Sequence, residues 1–253
     1  MRPPIRQQKI LNLIRENERV YVEDLSIEFE TSGETIRRDL NELAKQGLVS
    51  KFHGGAALLE AEQKESAFQN RLSENEHEKK LIARYTASLF QNGSNLFIDT
   101  GTTTLMFAKE LAKQKKDLTV ITNSTAIAHE IALYDHRVFL IGGEYHPESY
   151  QSFGPIAASQ IKSFNAQHLV STTGAISCEG IANYSLEEAE ITKAMWQQAQ
   201  YVTVIADHTK LDRKAIFQVS ALNAIDRLIT NQAPSEKLLS SITSASIDFH
   251  IAK

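Results

Sequence analysis

The sequence predicts two domains, an N-terminal winged helix-turn-helix and a C-terminal α/β domain whose mostly parallel sheet has helices on both faces. Three observations predict this fold class. Two short helical patterns flank a Ser-Gly turn at residues 32–33, a Gly-Gly hairpin follows them, and strand and helix patterns alternate from residue 95 onward. We place the domains at residues 1–59 and 78–253, with a linker at residues 60–77.

The N-terminal domain begins with three predicted helices. Pro3-Pro4 suits the first turn of the first helix. Ser32 is placed to cap the third helix by accepting a hydrogen bond from the backbone of Thr35, and Gly33 relaxes the turn before it. The apolar residues at helical spacing are Ile10, Leu13 and Ile14 in the first helix, Val22, Leu25 and Phe29 in the second, and Ile36, Leu40 and Leu43 in the third.

The third helix has a polar face that suits a DNA duplex. When its apolar stripe is buried, a rotation of about 100° per residue places carboxylate, amide and guanidinium groups on the outer side, where they suit base edges and phosphates. Residues 48–52, 53–55 and 56–59 then read as strand, turn and strand, which form a wing. The residues expected to contact DNA are Ser32, Glu34, Thr35, Arg37, Arg38, Asn41 and Lys45, with Lys51 and His53 on the wing.

The C-terminal domain shows the alternation that is typical of a parallel sheet covered by helices. In such sheets, ligands bind beyond the carboxyl ends of the strands. The predicted strands are 96–98, 118–121, 138–141, 169–171, 202–205 and 228–229. Long amphipathic helices are expected between them, for example around Ile191 and Met195.

Polar loops follow four of these strands. The first runs from Asp99 to Thr104, and its backbone N–H groups at a helix start suit an anion. It lacks the Gly-Lys-Ser/Thr ending of a P-loop, so nucleotide hydrolysis has no support. Any one such loop is typical of a cap or turn, but four at one sheet edge indicate a binding site. The other three are Thr122-Asn123-Ser124, Gly142-Gly143-Glu144 and Asp207-His208-Thr209-Lys210.

Composition narrows the class of protein. The single cysteine, Cys178, cannot form an internal disulfide, and we find neither a signal peptide nor an apolar run that spans a membrane, so we expect a cytoplasmic protein. The eight histidines lack the spacing of a metal site. Residues 1–58 carry nine Lys or Arg and nine Asp or Glu, so their basic charge must be local. We therefore expect paired DNA half-sites bound by a homodimer or homotetramer.

The motifs together resemble the DeoR family of bacterial transcriptional regulators. T-I-R-R-D-L at Thr35–Leu40 and H-G-G-A at His53–Ala56 match the N-terminal signature of that family. D-S/T-G-T-T, T-N-S, G-G, E-A and A-D-H-S/T-K follow in the family order, so the resemblance covers nearly the whole chain. It implies a C-terminal domain that is folded like ribose-5-phosphate isomerase and senses a phosphorylated sugar or a related intermediate.

The resemblance also implies roles at this site. The loop from Gly101 to Thr104 would hold phosphate, and Gly154 would shape a loop over the pocket. Hydroxyls or charge on the effector would meet Asp99, Asn123, Glu188 and Lys210. The full expected set is Asp99, Gly101, Thr102, Thr103, Thr104, Thr122, Asn123, Ser124, Gly142, Gly143, Gly154, Glu188, Asp207 and Lys210.

Two functions follow as hypotheses. The first is a repressor of a sugar or carbohydrate-derivative operon that binds operator DNA, is released by a phosphorylated sugar, and needs no cofactor, metal or catalytic residue. The alternative is a sugar-phosphate isomerase-like enzyme with an appended DNA-binding domain, because Asp99, Glu188, Asp207, His208 and Lys210 could supply acid and base chemistry if they converged. Against the enzyme, residues 184–188 lack the glycine-rich loop that such an isomerase needs.

Overall fold

The computed structural model describes residues 3–17, 19–46, 48–52, 54–58 and 67–253. The chain forms two compact units, Met1–Glu65 and Ser66–Lys253. The predicted wing residue His53 and residues 59–66, which include the first part of the predicted linker, lie outside the described residues. Within the described ranges, no helix is both long enough and apolar enough to cross a membrane.

The first unit is a winged helix-turn-helix, as predicted. In chain order its elements are α1 (Pro3–Asn17), β1 (Arg19–Tyr21), α2 (Val22–Glu28), α3 (Gly33–Lys45), β2 (Val49–Phe52) and β3 (Gly55–Leu58). The three strands pair antiparallel in the order β1-β3-β2. Strand β1 was not predicted, because three residues are too few to show an alternating pattern.

The predicted apolar stripes meet in the core of this unit. Ile10, Leu25, Ile36 and Leu40 are all buried, so α1, α2 and α3 pack on one another. The predicted cap is confirmed, since the Ser32 hydroxyl accepts from the Thr35 backbone N–H at 3.3 Å. Each helix therefore begins and buries its side chains as local spacing indicated.

One buried ion pair also joins α1 to α3. Asp39 is 3% exposed, and its carboxylate accepts from Arg6 Nε at 2.5 Å and from Gln7 Nε2 at 2.9 Å. In the sequence, Asp39 lies between the outward-facing Arg38 and the buried Leu40. The pair therefore fixes the orientation of α3 relative to α1.

The second unit is the predicted α/β domain. Its α-helices and strands are α4 (Phe68–Ser73), α5 (Glu76–Ser88), β4 (Asn95–Ile98), α6 (Thr102–Gln114), β5 (Thr119–Thr122), α7 (Thr125–Ala132), β6 (Arg137–Leu140), β7 (Glu144–His146), β8 (Gln151–Phe153), α8 (Gly154–Ile161), β9 (Ala166–Ser171), β10 (Ala175–Ser177), β11 (Gly180–Asn183), α9 (Leu186–Trp196), β12 (Ala199–Ile205), β13 (Phe217–Ser220), β14 (Arg227–Thr230), α10 (Glu236–Ser244) and β15 (Asp248–Ile251).

Seven parallel strands form the central sheet in the order β15-β14-β12-β9-β4-β5-β6. Successive residues of a strand point to opposite faces, and in β4 Phe97 joins one apolar core while Leu96 and Ile98 join the other. One core contains residues of α8, α9 and α10, and the other contains residues of α5, α6 and α7. The prediction of helices on both faces is therefore confirmed.

The start of the second unit differs from the predicted residue 78. The polar composition of residues 67–77 indicated a linker, yet they include α4 and the start of α5. Phe68 is 3% exposed and packs in the core that contains α5 and α6. A single buried aromatic residue anchors this short helix, which composition alone could not distinguish from a linker.

Candidate functional site

The outer side of α3 and the wing form the candidate DNA-binding surface. Thr35 is half-buried, and the other described members of the predicted set are exposed, namely Ser32, Glu34, Arg37, Arg38, Asn41, Lys45 and Lys51. Arg38 makes no hydrogen bond or ion pair with any part of the chain that the structure describes. Its guanidinium is thus available to a phosphate or a base edge.

The other charges on this surface are weakly held or bridge its two parts. Arg37 lies 3.8 Å from Glu34, and both side chains are mostly exposed, so this pair contributes little stability. Lys51 Nζ donates to Asn41 Oδ1 and links the wing to the helix. The arrangement places helix and wing side by side, as a duplex would require.

The candidate effector site lies at the carboxyl edge of the central sheet, where Asp99 follows β4. Its carboxylate is 6% exposed and accepts from Ser171 Oγ at 2.8 Å, from Thr192 Oγ1 at 2.9 Å and from Thr100 N at 2.7 Å. Burial raises the pKa of Asp99 to about 6, against the lowering effect of these three hydrogen bonds. Asp99 therefore connects β4 to β9 and α9.

The loop after Asp99 approaches the end of β9 closely. A Cβ on Gly101 would lie 2.3 Å from Thr172 Cγ2, so a larger residue here would force the Thr172 side chain to move. Gly101 is also the N-cap of α6 and offers no side chain, which leaves the first-turn N–H groups uncapped. Thr102, Thr103 and Thr104 follow, all buried. This is a geometry in which an anion can be bound.

The end of β5 is held by its own polar side chains. Thr122 Oγ1 accepts from Ser124 N at 3.1 Å, and Ser124 Oγ caps α7 by accepting from Ile127 N at 3.3 Å. Asn123 is fully buried, accepts from Thr100 Oγ1 at 3.0 Å and donates to the Ser152 carbonyl at 3.0 Å. Asn123 therefore joins the β4 loop to the β7–β8 hairpin.

The hairpin covers part of the same edge. The Gly142 N–H donates to Gln160 Oε1 at 3.0 Å, and Gly143 has a φ of +155°. A Cβ on Gly143 would lie 2.5 Å from the Phe153 carbonyl oxygen, so the hairpin closes only because this residue is glycine. Gly154, with a φ of +85°, begins α8. The role of Gly154 in shaping a loop over the effector stays a prediction.

Glu188, Asp207 and Lys210 complete the predicted set near this edge. Gln151, 2% exposed in β8, donates to Glu188 Oε1 at 3.0 Å. Asp207 is 1% exposed and accepts from Thr209 N at 2.9 Å, which caps a short 3-10 helix, His208–Lys210. Effector contact by any of these residues stays a prediction.

Sequence reasoning missed Lys79 on α5. This lysine is 4% exposed, and its Nζ donates to the Arg71 carbonyl at 2.5 Å. Burial lowers its pKa to about 8, and the nearby charges of Asp207, Lys210, Arg71 and Glu74 also act on it. Spacing could have found it, because Lys79 shares the buried face of α5 with Ile82, Ala83 and Thr86.

Comparison with known families agrees with both parts of the chain. Residues 74–232 match the DeoR C terminal sensor domain, and residues 6–62 match the DeoR-like helix-turn-helix domain. The chain belongs to the DeoR family. Two of the motifs that carried the resemblance, the T-I-R-R-D-L helix and the A-D-H-T-K segment, fall inside these matched ranges.

Several relatives of this DeoR-family protein are transcriptional repressors. The HTH-type transcriptional repressor CsqR of Escherichia coli is 32% identical over 96% of this chain and 93% of its own length. The glycerol-3-phosphate regulon repressor of the same species is 30% identical over 99% and 98%. The repressor GlcR of Bacillus subtilis is 32% identical over 90% and 88%.

Solved structures give only a partial likeness to this chain. Ribose 5-phosphate isomerase A of Methanocaldococcus jannaschii aligns with a TM-score of 0.39 and 14% identity, over 56% of this chain and 55% of its own. The α/β architecture of the DeoR-family protein rests instead on its own strand order and on the helices that cover both faces of its sheet.

Proposed function

We propose that this protein represses transcription by binding operator DNA through α3 and the wing, and that a phosphorylated sugar or polyol bound in the second unit releases it. The observation that carries the DNA-binding half is the division of α3. Ile36 and Leu40 are buried in the core, while Arg37 and Arg38 face outward beside Lys51. A surface helix next to a basic wing suits a major groove and its flanking phosphates.

The anion-binding loop supports the effector half of the proposal. Uncapped N–H groups at the start of α6 and the buried hydroxyls of Thr102 and Thr103 suit a phosphate group. Buried polar side chains nearby, including Asn123 and Gln151, suit the hydroxyls of a sugar or polyol. The name of the glycerol-3-phosphate regulon repressor, a relative over nearly its full length, favours a small phosphate ester.

Release from DNA requires that the effector have different affinities for two conformational arrangements of the protein. A ligand shifts the population toward the arrangement it binds better, by no more than its differential affinity. We propose that the effector-bound arrangement suits operator half-sites less well. Because the first 58 residues have no net basic charge, pairing of half-sites by a homodimer or homotetramer is part of this proposal.

We propose no catalytic role for the acidic residues of the site. The carboxylates of Asp99 and Asp207 already accept hydrogen bonds from neighbouring residues and act as connectors and caps. An isomerase assay of the purified protein with ribose 5-phosphate tests this, and turnover above a no-enzyme control would support the alternative.

The test is fluorescence anisotropy with DNA from upstream of the protein's own operon, titrated in the presence of sugar and polyol phosphates. We expect at least one phosphate ester to weaken binding, whereas its unphosphorylated parent does not. Arg38→Ala should weaken operator binding at least about fivefold per half-site, because one lost base or phosphate contact amounts to about 1–3 kcal/mol. Arg84→Ala, which removes a similarly exposed arginine from the second unit, should leave it unchanged.

Two results would contradict the proposal. Operator binding that survives Arg38→Ala would remove the assigned role of α3. Operator binding that no phosphate ester alters would remove the effector half while leaving the DNA-binding half intact.

A further inference from the structure

Lys79 is a buried ammonium at the edge of the sheet where the effector is proposed to bind. Helix α5 leads into β4, and it therefore begins at the carboxyl edge of the sheet and ends at the amino edge. Helix α6 follows β4 and begins at the same carboxyl edge. Because α5 and α6 pack against each other, Lys79 in the first turn of α5 lies on the same side of the sheet as the first turn of α6.

The protein uses only part of the bonding capacity of this ammonium. Lys79 carries three N–H donors, and within the described ranges its one hydrogen-bond acceptor is the Arg71 carbonyl. No carboxylate of the described residues lies within ion-pair distance of it, although the charges of Asp207 and Glu74 act on it from further away. A charge that is buried without a carboxylate partner costs free energy, so it is expected where an anion can be bound.

The charges around Lys79 leave its own ammonium as the excess charge. Two cations, Lys210 and Arg71, and two acids, Asp207 and Glu74, act on it, so that the group as a whole carries one more cation than acids. Asp207 also accepts the Thr209 N–H at the start of the 3-10 helix that carries Lys210. Burial is the main reason that the pKa of Lys79 falls to about 8, so the ammonium is mostly charged at neutral pH and loses its proton just above it.

We infer that the Lys79 ammonium binds the phosphate group of the effector together with the backbone N–H groups at the start of α6. This inference rests on the proposed function and adds to it the cation that neutralises the ligand. A dianionic phosphate would take the two remaining Lys79 donors and neutralise the excess positive charge of this group. The site should therefore prefer phosphate esters over the corresponding neutral sugars or polyols.

The experiment is isothermal titration calorimetry of the full chain with inorganic phosphate, glycerol 3-phosphate and glucose 6-phosphate, and with glycerol as the neutral comparison. Lys79→Met keeps the length and apolar contacts of the stem but removes the charge. We expect it to weaken binding of the preferred phosphate at least tenfold, and we expect Lys79→Arg to recover part of the loss. Lys80→Met is the matched control, because Lys80 is the next residue, is half-exposed and pairs with Glu76 on the surface.

A pH series separates a ligand contact from a packing role. The second pKa of a phosphate monoester is about 6, so the group is mainly a dianion from about pH 7 to 9. Across that range the affinity of the wild-type protein should fall as Lys79 deprotonates, whereas the affinity of Lys79→Met should stay flat. The other charged groups near Lys79 are present in both proteins, so their effects on the pH dependence of affinity cancel in the comparison. They are Asp207, Lys210, Arg71 and Glu74.

The outcomes are distinguishable. If the wild type binds a phosphate probe and Lys79→Met binds it equally well, with the same pH dependence, this inference is overturned and the proposed function stands. If the wild type binds none of the probes, the effector half of the proposed function fails and this inference fails with it. Thermal unfolding of each variant shows whether a loss of binding reflects a loss of fold. If Lys79→Met is unfolded, the affinity of Lys79→Arg and the wild-type pH series decide whether Lys79 contacts the phosphate.

Discussion

Asp39→Ala removes the buried carboxylate that joins α1 to α3 and changes no outward-facing residue of the candidate DNA-binding surface. The Asp39 and Arg6 side chains are 4% and 8% exposed and meet at 2.5 Å, and Gln7 adds a second bond at 2.9 Å. Removing one partner of a buried ion pair costs about 3–5 kcal/mol, because the remaining charge loses its compensation. We therefore expect the first unit to lose that much free energy of unfolding.

This loss is comparable with the whole stability of the first unit. At about 0.05–0.15 kcal/mol per residue, a unit spanning Met1–Glu65 has a free energy of unfolding of about 3–10 kcal/mol. Asp39→Ala should therefore lower or abolish the unfolding transition of the first unit and, with it, operator binding. Differential scanning calorimetry of the full chain should show the transition of the second unit unchanged.

Two further variants test the reasoning. Glu42→Ala removes an acid from the same helix whose pair with Lys45 is largely exposed, and it should change stability by less than about 0.5 kcal/mol. The double variant Arg6→Met with Asp39→Leu replaces both charges by apolar groups and should recover most of the stability. A cost below about 1 kcal/mol for Asp39→Ala would refute the assignment of this pair as the link between the helices.

Two other predictions concern the second unit. The pKa of Asp99 in the folded protein, about 6, exceeds its ordinary value of 3.8, so the folded state binds this proton more tightly than the unfolded state. The contribution of Asp99 to the free energy of unfolding is therefore greatest below pH 3.8 and falls as the pH rises to about 6. Asp99→Asn should abolish this pH dependence, which amounts to at most about 3 kcal/mol. Urea unfolding of both proteins across this pH range measures it, and parallel pH profiles of the two proteins would contradict the prediction. Gly143→Ala should cost about 1–3 kcal/mol, because its Cβ would lie 2.5 Å from the Phe153 carbonyl. Gly142→Ala, whose Cβ would have no neighbour closer than 3.7 Å, should cost less than about 0.5 kcal/mol in the same unfolding assay, and equal costs would argue against the clash.

Features that depend on local spacing could be predicted from the sequence. The three helices of the first unit, the Ser32 cap and the wing follow from periodicity and turn residues within a few positions of one another. The strands that precede the candidate effector loops could also be predicted, because a buried parallel strand appears in the sequence as a short apolar run between helices. Since the carboxyl ends of parallel strands share one edge of a sheet, Gly101 and Asn123 could be assigned to that edge from sequence order alone.

Only the tertiary structure decided which elements are neighbours and which polar groups are buried. The insertion of β9 between β4 and β12 brings Ser171 to Asp99, and no local pattern specifies that pairing. Short elements such as α4 and the β7–β8 hairpin were missed because helices and strands of three to six residues are too short to show a periodic pattern. No role of Asp39 or Lys79 was predicted from the sequence. Helix spacing can place Lys79 on the inner face of α5, but what packs over a charge is decided by the whole fold.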